Sequence, residues 1–516
     1  MERFLKRHEG RITGIISGFD RILFRGSLRS ISYGKGIQAW LACQGILMKD
    51  FASYAIRLSE RIKEHAQEFA HSQGRPYQHV FSPKVSKEDI ARAIIQKDQI
   101  QQGLVCVLSC VEPCRSFKFA RLSPKKNHCG LKSADRQCLH LYFYFLDQEF
   151  GLMHIRLQTW LPWTIQVCLN GWEWLAHRLD REGIPYKKSD NCFLQIDQMD
   201  KAQKLMNSLI NRNWLPFLKR MARIANPWLN SRNPLKLQPY YWTIRECEYA
   251  TDVLFKDKTN LQAIYPSLLD HAIRHFHCHD VLRFLQRRVN GQFEGELKTS
   301  FKIRIEGARI RHWVEENSIK MYDKQGSVLR VETTMNNPRR WRVWRRTTRK
   351  GKRCMAWIPM RKSIADVKRR AEICLSANGR YLDALSVVGD SIPAFKVLDP
   401  LAKRLTLHGR SYRPLHAVDP LDAELLSAIS CGEFLLHGFR NQDVRESLYP
   451  GSRSHSDARR IACAQVSRRF RLLRAHGLIY RLAKRNLWRI SQRGKTVAAM
   501  VTKLRQANLL DLEKAA

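Results

Sequence analysis

The 516-residue sequence lacks an apolar run of about 18 residues, the length that a helix needs to cross a bilayer. Its opening stretch, MERFLKRHEG, is basic, but no apolar segment follows it, so we expect no signal peptide. These absences disfavour a membrane-spanning or secreted protein. We therefore expect a cytoplasmic chain with no membrane partner.

The sequence also lacks the short motifs of several enzyme classes. It contains no Walker-type glycine loop, dinucleotide-binding fingerprint, GxSxG elbow or HExxH helix. The segment 33–36, YGKG, only approximates the spacing of a phosphate-binding loop. An ATP-driven motor is therefore not expected.

The cysteines do not form a dense, short-spaced framework. There are fourteen of them, spread along the chain, which favours free thiols in a reducing compartment over a disulfide scaffold. One group could be considered as zinc ligands: Cys110, Cys114, Cys129, Cys138 and His140. Only Cys110 and Cys114 approach the usual ligand spacing, so the sequence leaves metal binding by this group open.

Acidic residues are scarce relative to basic ones. The chain has 47 Asp and Glu against 90 Lys and Arg, a formal net charge of +43. Solubility alone does not require such an excess, and the expected partner is a polyanion. We expect DNA, and a structured RNA as a further partner; oligomerisation is compatible with the sequence but not indicated by it.

The length exceeds what one hydrophobic core supports, because single cores stop growing near about 250 to 300 residues. The order of apolar patterns and breakers predicts an α+β multi-domain protein. We place a mixed α/β domain at 1–195, a helical and strand-rich central domain with a basic hairpin at 196–404, a linker at 405–420 and a C-terminal domain at 421–516.

Three stretches of the N-terminal domain predict strands. Apolar pairs around Gly18 to Asp20 predict two short strands joined by a tight connection. GLVCVLSCV predicts a buried strand bounded by Gly103 and Pro113. Residues 138–170 are rich in aromatic and branched side chains and predict two strands around a turn at 147–151.

Helices are expected between and after these strands. Ser86, with Asp89 three residues later, has the pattern of a capping box and predicts a helix start. Residues 199–290 are expected to be mostly helical. A strand-rich stretch is expected over 297–360, and helices again from Ser363 to about Val388.

The C-terminal domain has the expected order of three helices, a hairpin and a final helix. Its third helix, ARRIACAQVSRRFRLLRAHG, would cover a core with Ile461, Ala464, Val466, Phe470, Leu472 and Leu473. LIYRL and LWRIS then bracket the polar tip AKRN. Residues 420–506 resemble the winged helix-turn-helix domains of MarR-type transcription regulators, in which the third helix enters the major groove and the wing touches the backbone.

This resemblance and the side-chain chemistry predict a DNA-contacting surface. Gln465 and Ser467 would hydrogen-bond bases, and the arginines would neutralise phosphates or read guanine edges. The expected contacts are Gln465, Ser467, Arg468, Arg469, Arg471 and Arg474, with Lys484, Arg485 and Asn486 at the wing tip.

A basic track upstream predicts a second nucleic-acid surface. Residues 339–370 hold fourteen Lys or Arg and one acid, interleaved with Trp341, Trp344 and Trp357. Single-stranded or structured nucleic acid uses such a combination, since charges follow phosphates and rings stack on bases. The expected contacts are Trp341, Arg342, Trp344, Arg345 and Arg346. A hairpin whose tryptophans face the core is the alternative.

Two patterns suggest catalysis. SIKMYDKQGSVLRVETT weakly resembles the core hairpin of rolling-circle replication initiators, in which a tyrosine attacks a phosphodiester beside a bound metal. The matching positions are Tyr322, Lys324, Arg330 and Glu332, and the candidate catalytic residues are Tyr322, Asp323 and Glu332. The metal ligands would come from His275, His277 and His279, which lie in a stretch that looks helical.

The second pattern uses scattered acids. Enzymes with an RNase H-like core place acids at strands to hold metal ions. The candidates are Asp20, Asp147, Glu149, Asp252, Asp323 and Glu332, and Mg²⁺ or Mn²⁺ would be the cofactor of such a nuclease. Salt bridges to neighbouring arginines are the competing explanation for any one of these acids.

Several segments, among them SGFDRILFRGSLRSI and CLHLYFYFLDQEFGL, resemble a large family of bacterial proteins with a MarR-like C-terminal end. That resemblance brings no activity with it. We expect a nucleic-acid-binding protein of a mobile genetic element, either transposase-like, replication-initiator-like or a ribonucleoprotein component. The alternative is a non-enzymatic MarR-like regulator with a large sensor or dimerisation domain.

Overall fold

The structure is a computed structural model. It describes residues 1–121, 129–229, 234–286, 297–304, 307–349, 351–388, 394–407, 409–417, 419–450, 456–482 and 486–506. The protein is of mixed α/β type with a large mixed sheet, as the sequence predicts in outline.

The helices are α1 Glu2–Arg7, α2 Gly34–Cys43, α3 Phe51–Ser72, α4 Lys87–Asp98, α5 Gly171–Arg181, α6 Met199–Ile210, α7 Trp214–Ala225, α8 Lys258–Gln262, α9 Tyr265–His275, α10 Cys278–Phe284, α11 Val367–Leu385, α12 Ala394–Leu398, α13 Pro420–Ile429, α14 Gly432–His437, α15 Asn441–Leu448, α16 Ser456–Ala475 and α17 Gln492–Gln506. The strands are β1 Ile12–Ser27, β2 Tyr77–His79, β3 Gly103–Arg121, β4 Cys129–Asp147, β5 Gly151–Gln158, β6 Ile165–Asn170, β7 Tyr186–Ser189, β8 Cys192–Ile196, β9 Tyr241–Phe255, β10 Leu297–Arg304, β11 Gly307–Val314, β12 Asn317–Lys324, β13 Val328–Thr334, β14 Arg342–Arg349, β15 Lys352–Pro359, β16 Leu405–Leu407, β17 Arg410–Tyr412, β18 Ile479–Arg481 and β19 Trp488–Ile490.

The chain forms two compact units, each built from separate stretches. Unit 1 contains Met1–Gly14, Val253–Val331 and Ser376–Ala516, and unit 2 contains Ile15–Asp252 and Glu332–Leu375. The predicted domains, in contrast, are consecutive stretches of sequence.

Unit 2 contains β6, β5, β4, β3 and β2 and most of β9 and β1, and these strands neighbour one another in the order β9, β1, β6, β5, β4, β3, β2. The last residues of β13, from Glu332 on, belong to this unit and lie beside β9. β1, β6, β5, β4 and β3 pair antiparallel with their neighbours, whereas β2 runs parallel to β3. Helix α4 contributes to a buried cluster with the β3–β4 pair through Ala91. The predicted cap of this helix is confirmed, since the Ser86 side chain accepts a hydrogen bond from the Asp89 N–H at 3.2 Å.

The predicted connection at Gly18 to Asp20 is wrong, because β1 is one continuous strand of 16 residues. Gly18 lies inside it, where a Cβ atom would come within 2.5 Å of the Met206 side chain. The glycine therefore permits close packing of α6 on the strand and makes no turn. Asp20 is consequently in the middle of a strand.

Strand β9 lies in the stretch that the sequence predicts to be helical. Its 15 residues, YWTIRECEYATDVLF, pack between β13 and β1 in the sheet order, and Trp242, Ile244, Cys247 and Tyr249 are buried. Tertiary packing outweighs local preference here, as is common for strands. This strand carries a residue of the candidate site.

Other strand predictions are confirmed with different bounds. β3 continues through Pro113 to Arg121, and the two strands expected over 138–170 are three, β4, β5 and β6. The strand-rich stretch after residue 297 and the helix after Ser363 are present. The linker at 405–420 contains the short β16–β17 hairpin.

Unit 1 carries β10, β11 and β12, which pair antiparallel in that order, and most of the C-terminal helices.

None of the helices in the described part of the chain combines the length and apolar character that crossing a bilayer requires.

The C-terminal stretch shows helices α13 to α16, the β18–β19 hairpin and helix α17, with Ile479 paired to Ile490. The prediction of three helices before the hairpin is wrong, because the first predicted helix is divided into α13 and α14. Of the predicted core positions on α16, Val466, Phe470, Leu472 and Leu473 are buried. Ile461 and Ala464 are exposed, so their prediction as core residues is wrong. The apolar face of α16 is therefore narrower than expected.

Candidate functional site

Three carboxylates meet in unit 2. Asp20 on β1, Glu248 on β9 and Glu332 on β13 each offer a ligand atom, and these atoms all lie within 4.8 Å of one another. Asp20 and Glu332 are buried, and Glu248 is partly buried. Among the described residues, no other three His, Cys, Asp or Glu side chains bring their ligand atoms this close together.

The pairing of β1 with β9 brings Asp20 level with Glu248. The Ser17 hydroxyl donates to Thr251 Oγ1 at 2.9 Å, and the Thr243 hydroxyl donates to the Arg25 carbonyl at 3.1 Å. These two bonds show that the strands run antiparallel, and they bracket Asp20 and Glu248. On the other side of β9, the Met335 N–H donates to the Cys247 carbonyl at 2.8 Å, which fixes β13 beside it.

A chain of asparagines positions Asp20. The Asn191 side-chain amide donates to Asp20 Oδ1 and accepts a 2.9 Å hydrogen bond from the Asn170 amide. Asn170 also caps α5, accepting from the N–H groups of Trp172 and Glu173. A Cβ atom on Gly171 would lie 2.0 Å from the Phe19 carbonyl oxygen, so α5 begins directly against the backbone next to Asp20.

Arg21 supplies positive charge on the edge of the cluster. Its Nε lies 3.2 Å from Glu248 Oε2, and its Nη2 pairs with Glu246. Burial acts to lower the pKa of Arg21, but the Glu248 and Glu246 carboxylates outweigh it and raise that pKa above its usual value. The arginine therefore stays charged and holds the Glu248 carboxylate in an ion pair.

A cleft of about 280 Å³ opens beside Asp20 and Glu248. Arg21, Arg92, Glu88, Glu173 and His154 are among its lining residues. Burial, together with Arg21 and Arg156, lowers the pKa of His154 to about 4, so its ring is neutral at physiological pH. The cleft thus presents acids, two arginines and a neutral imidazole.

Three carboxylates this close repel one another when ionised, and burial increases that cost. A divalent cation offsets the repulsion, and an all-oxygen ligand set is the one that Mg²⁺, Mn²⁺ and Ca²⁺ prefer. The donor chemistry of Asp20, Glu248 and Glu332 therefore fits a hard divalent cation. Asp20 and Glu332 are two of the acids that the RNase H-like pattern predicts.

Asp323, another candidate catalytic residue, is not one of the three clustered carboxylates. Tyr322 and Asp323 both lie on β12. Asp323 Oδ1 accepts a 2.9 Å hydrogen bond from the Gly326 N–H, in a turn where Gln325 and Gly326 have positive φ. Burial raises the pKa of Asp323. The hydrogen bond from the Gly326 N–H gives the Asp323 carboxylate a structural role in this turn.

The remaining acids of the predicted set have other contacts. Asp147 Oδ1 accepts hydrogen bonds from Glu149 N–H at 2.9 Å and Phe150 N–H at 3.1 Å, and Glu149 pairs with Arg212. Asp252 is buried on β9 but is not part of the cluster. The salt-bridge and turn explanation therefore accounts for Asp147 and Glu149.

The predicted histidine and cysteine ligands do not form a comparable group among the described residues. His277 caps α10 with Asp280, while His275 ends α9. On the β3–β4 pair, Cys110 lies opposite His140, and Cys114 lies opposite Arg136. The described cysteines are free thiols, as expected.

Glu248 is the site residue that the sequence reasoning missed. Its stretch is predicted to be helical, and of the acids on that stretch the prediction includes only Asp252, which lies on the same strand but outside the cluster. One signal was available: residues 240–244, YYWTI, are five consecutive residues of high β propensity.

The expected DNA-contacting residues on α16 show different exposure. Gln465, Arg468, Arg471 and Arg474 are exposed, whereas Ser467 and Arg469 are partly buried. The Ser467 hydroxyl accepts a 2.9 Å hydrogen bond from the Asn441 amide. Asn486 is exposed, and Lys484 and Arg485 lie outside the described residues.

The basic track forms the β14–β15 hairpin in unit 2. Trp341, which precedes it, is only 4% exposed, so its ring has no free face for a base and the expectation of stacking there is wrong. Arg345 pairs with the buried Asp366. Arg342, Trp344 and Arg346 are exposed.

No protein-family model, curated protein or solved structure matches this chain.

Proposed function

We propose that the protein is a nucleic-acid-binding enzyme that cleaves or transfers phosphodiester strands with divalent metal ions held by Asp20, Glu248 and Glu332. The observation that carries the proposal is the convergence of these three carboxylates on three neighbouring strands of a chain with a net charge of +43. A polyanion is the natural substrate of such a chain, and buried carboxylates give it a place for cations.

When bound, such cations polarise the phosphate and activate water or a hydroxyl. The residues of the chain have distinct parts in this proposal. Asp20 and Glu332 hold the cation from buried positions, Asn191 keeps Asp20 oriented, and Arg21 keeps Glu248 in place. The cleft beside the cluster admits part of the substrate.

The C-terminal stretch supports duplex binding in the same proposal. A winged helix-turn-helix in this stretch is supported by α15, α16, the β18–β19 hairpin and α17, and Arg468, Arg471 and Arg474 lie exposed on α16. Such a domain would carry duplex DNA to the enzyme. A transposase-like protein of a mobile genetic element fits this combination.

The alternative is a non-enzymatic regulator of MarR type. The exposed arginines of α16 would serve it equally well, but it has no need for three converging carboxylates. A replication-initiator mechanism receives less support, because the metal ligands predicted for it, His275, His277 and His279, do not bring three ligand atoms together among the described residues.

Strand cleavage tests the proposal. Purified wild-type protein with Mg²⁺ or Mn²⁺ should cut or join labelled DNA, and EDTA should abolish the reaction. Glu332→Gln removes one ligand charge with little change in volume and should abolish cleavage while DNA binding persists.

Glu246→Gln is the matched control. Glu246 lies on the same strand as Glu248 and shares its Arg21 partner, but it is outside the cluster. This variant should keep cleavage close to that of the wild type. Equal loss in Glu246→Gln and Glu332→Gln, or a wild type that never acts on DNA or RNA with either metal, would refute the proposal.

A further inference from the structure

One face of the β14–β15 hairpin consists of exposed residues. The pairs Arg342–Pro359, Trp344–Trp357, Arg346–Met355 and Thr348–Arg353 lie across from one another in the antiparallel register, and all eight residues are exposed. The alternate residues of the two strands form the other face, where Arg345 pairs with Asp366 and Ala356 is buried. The hairpin thus has one face turned to solvent.

Two tryptophans stand at the centre of this exposed face. The rings of Trp344 and Trp357 have centroids 5.7 Å apart and are inclined at 54°, and the side chains are 51% and 47% exposed. Tryptophan rarely lies so open on a protein surface, because its burial stabilises a fold more than that of most side chains. An exposed cross-strand pair therefore points to a partner that covers it.

The position of Trp357 is fixed from one side. The guanidinium of Arg369 lies 5.4 Å from the centroid of the Trp357 ring. Arg369 is itself held by Glu372 at 2.9 Å and by the Arg342 carbonyl at 3.2 Å. The ring is therefore held in place while close to half of its surface stays open.

The positive charge around the tryptophans indicates which kind of partner fits this face. Arg342, Arg346 and Arg353 lie on the same exposed face, and residues 342–359 contain no acid. A second copy of the chain would bring the same arginines against one another, which disfavours self-association. An acidic polymer with flat rings matches both the arginines and the tryptophans.

We infer that this face binds single-stranded nucleic acid, with bases stacked on Trp344 and Trp357 and phosphates against Arg342, Arg346 and Arg353. Within a duplex each base is covered by its neighbours on both sides, so open rings serve unpaired bases. The inference rests on the proposed nucleic-acid-binding function. It adds single-stranded nucleic acid, beside duplex DNA, as a second ligand of the protein. It assigns duplex binding and single-strand binding to different parts of the chain.

Fluorescence anisotropy with the full-length protein tests the inference. Three labelled ligands of one sequence are compared in EDTA, which prevents cleavage: a 20-nucleotide single-stranded DNA, the corresponding RNA, and the 20-base-pair DNA duplex. The double variant Trp344→Ala, Trp357→Ala should bind the preferred single strand about 100-fold more weakly, since each lost stacking contact weakens binding roughly tenfold. Its affinity for the duplex should stay within about twofold of that of the wild type.

Two control variants separate stacking from folding. Trp344→Phe, Trp357→Phe keeps aromatic rings and should retain most of the single-strand affinity, whereas Thr347→Ala changes the opposite face of the hairpin and should bind as the wild type does. The tighter of the two single strands identifies DNA or RNA as the ligand.

Equal loss of duplex and single-strand binding in the double alanine variant would overturn the inference, as would unchanged single-strand binding. Wild-type protein that binds the duplex but neither single strand would overturn it while leaving the proposed function standing. Wild-type protein that binds none of the three ligands would refute nucleic-acid binding as a whole.

Discussion

The two candidate catalytic regions hold their acids in opposite ways. Asp323 accepts a hydrogen bond from Gly326, three residues away, and so stabilises the turn between β12 and β13. Asp20, Glu248 and Glu332 come from distant stretches of the sequence and meet only because β1, β9 and β13 are neighbours in the sheet. An acid with a local backbone partner has a structural explanation, whereas buried acids that converge from distant strands point to a ligand.

The largest expected difference between the two regions is in cleavage. Asp20→Asn should lower metal-dependent strand cleavage by more than about 100-fold, because even residues that only support metal ligands cost 10- to 100-fold when removed. Tyr322→Phe should leave the rate within about twofold, because that tyrosine is not the nucleophile in this proposal. Single-turnover assays on labelled DNA measure both rates. If the Tyr322→Phe variant is inactive while the Asp20→Asn variant is active, cleavage depends on the β12–β13 hairpin and not on the carboxylate cluster.

Metal-dependent stability is the next expected difference. Saturating Mg²⁺ or Mn²⁺ should raise the thermal unfolding midpoint of the wild type, since a ligand at 100 times its dissociation constant stabilises the folded state by about 2.7 kcal/mol. Glu248→Gln should lose most of this increase, and Asp323→Asn should keep it. Differential scanning fluorimetry with and without EDTA measures the shifts. The same metal response in all three proteins would place the cation elsewhere.

The backbone beside Asp20 provides a third comparison. Gly171→Ala adds a Cβ atom at 2.0 Å from the Phe19 carbonyl oxygen and should displace α5 or β1. We expect a loss of roughly 1 to 3 kcal/mol in unfolding free energy from the overpacking, together with slower cleavage. Gly10→Ala is the control, since a Cβ atom there meets nothing within 4 Å. Urea unfolding followed by circular dichroism measures both variants, and equal stability of the two would contradict this account.

The smallest expected effect is at the β12–β13 turn. Asp323→Ala removes the acceptor for the Gly326 N–H and should lower the unfolding free energy by about 1 kcal/mol, the usual net contribution of one hydrogen bond. Asp323→Asn retains a side-chain oxygen and should lose less. Cleavage should be unchanged in both variants. A cleavage defect in Asp323→Asn without a loss of stability would return this residue to the candidate catalytic set.

Local patterns in the sequence predict many elements of this fold. Ser86 and Asp89 mark the start of α4 correctly, and the C-terminal hairpin follows from its turn and apolar spacing, whereas four helices precede that hairpin where three were predicted. The turn predicted at Gly18 is absent from β1, because glycine permits close packing of a helix as well as a turn. The difference lies in Met206, far away in the sequence, which no local pattern reveals.

The candidate site was predictable only in part. Asp20 and Glu332 could be listed as acids near predicted strands, but Asp147 and Glu149 looked equally suitable, and their ion-pair and turn partners appear only in the folded chain. Glu248 was missed together with its strand. Exposure separated the tryptophans in a similar way, since Trp341 is buried and Trp344 is open.

The sequence by itself determined the charge of this protein, on which the proposal of a polyanionic partner rests, because net charge depends on composition alone. The tertiary structure decided which acids share a site and which aromatic rings stay open. Both depend on the order in which strands pair, and that order is set by packing between residues that are distant in the sequence.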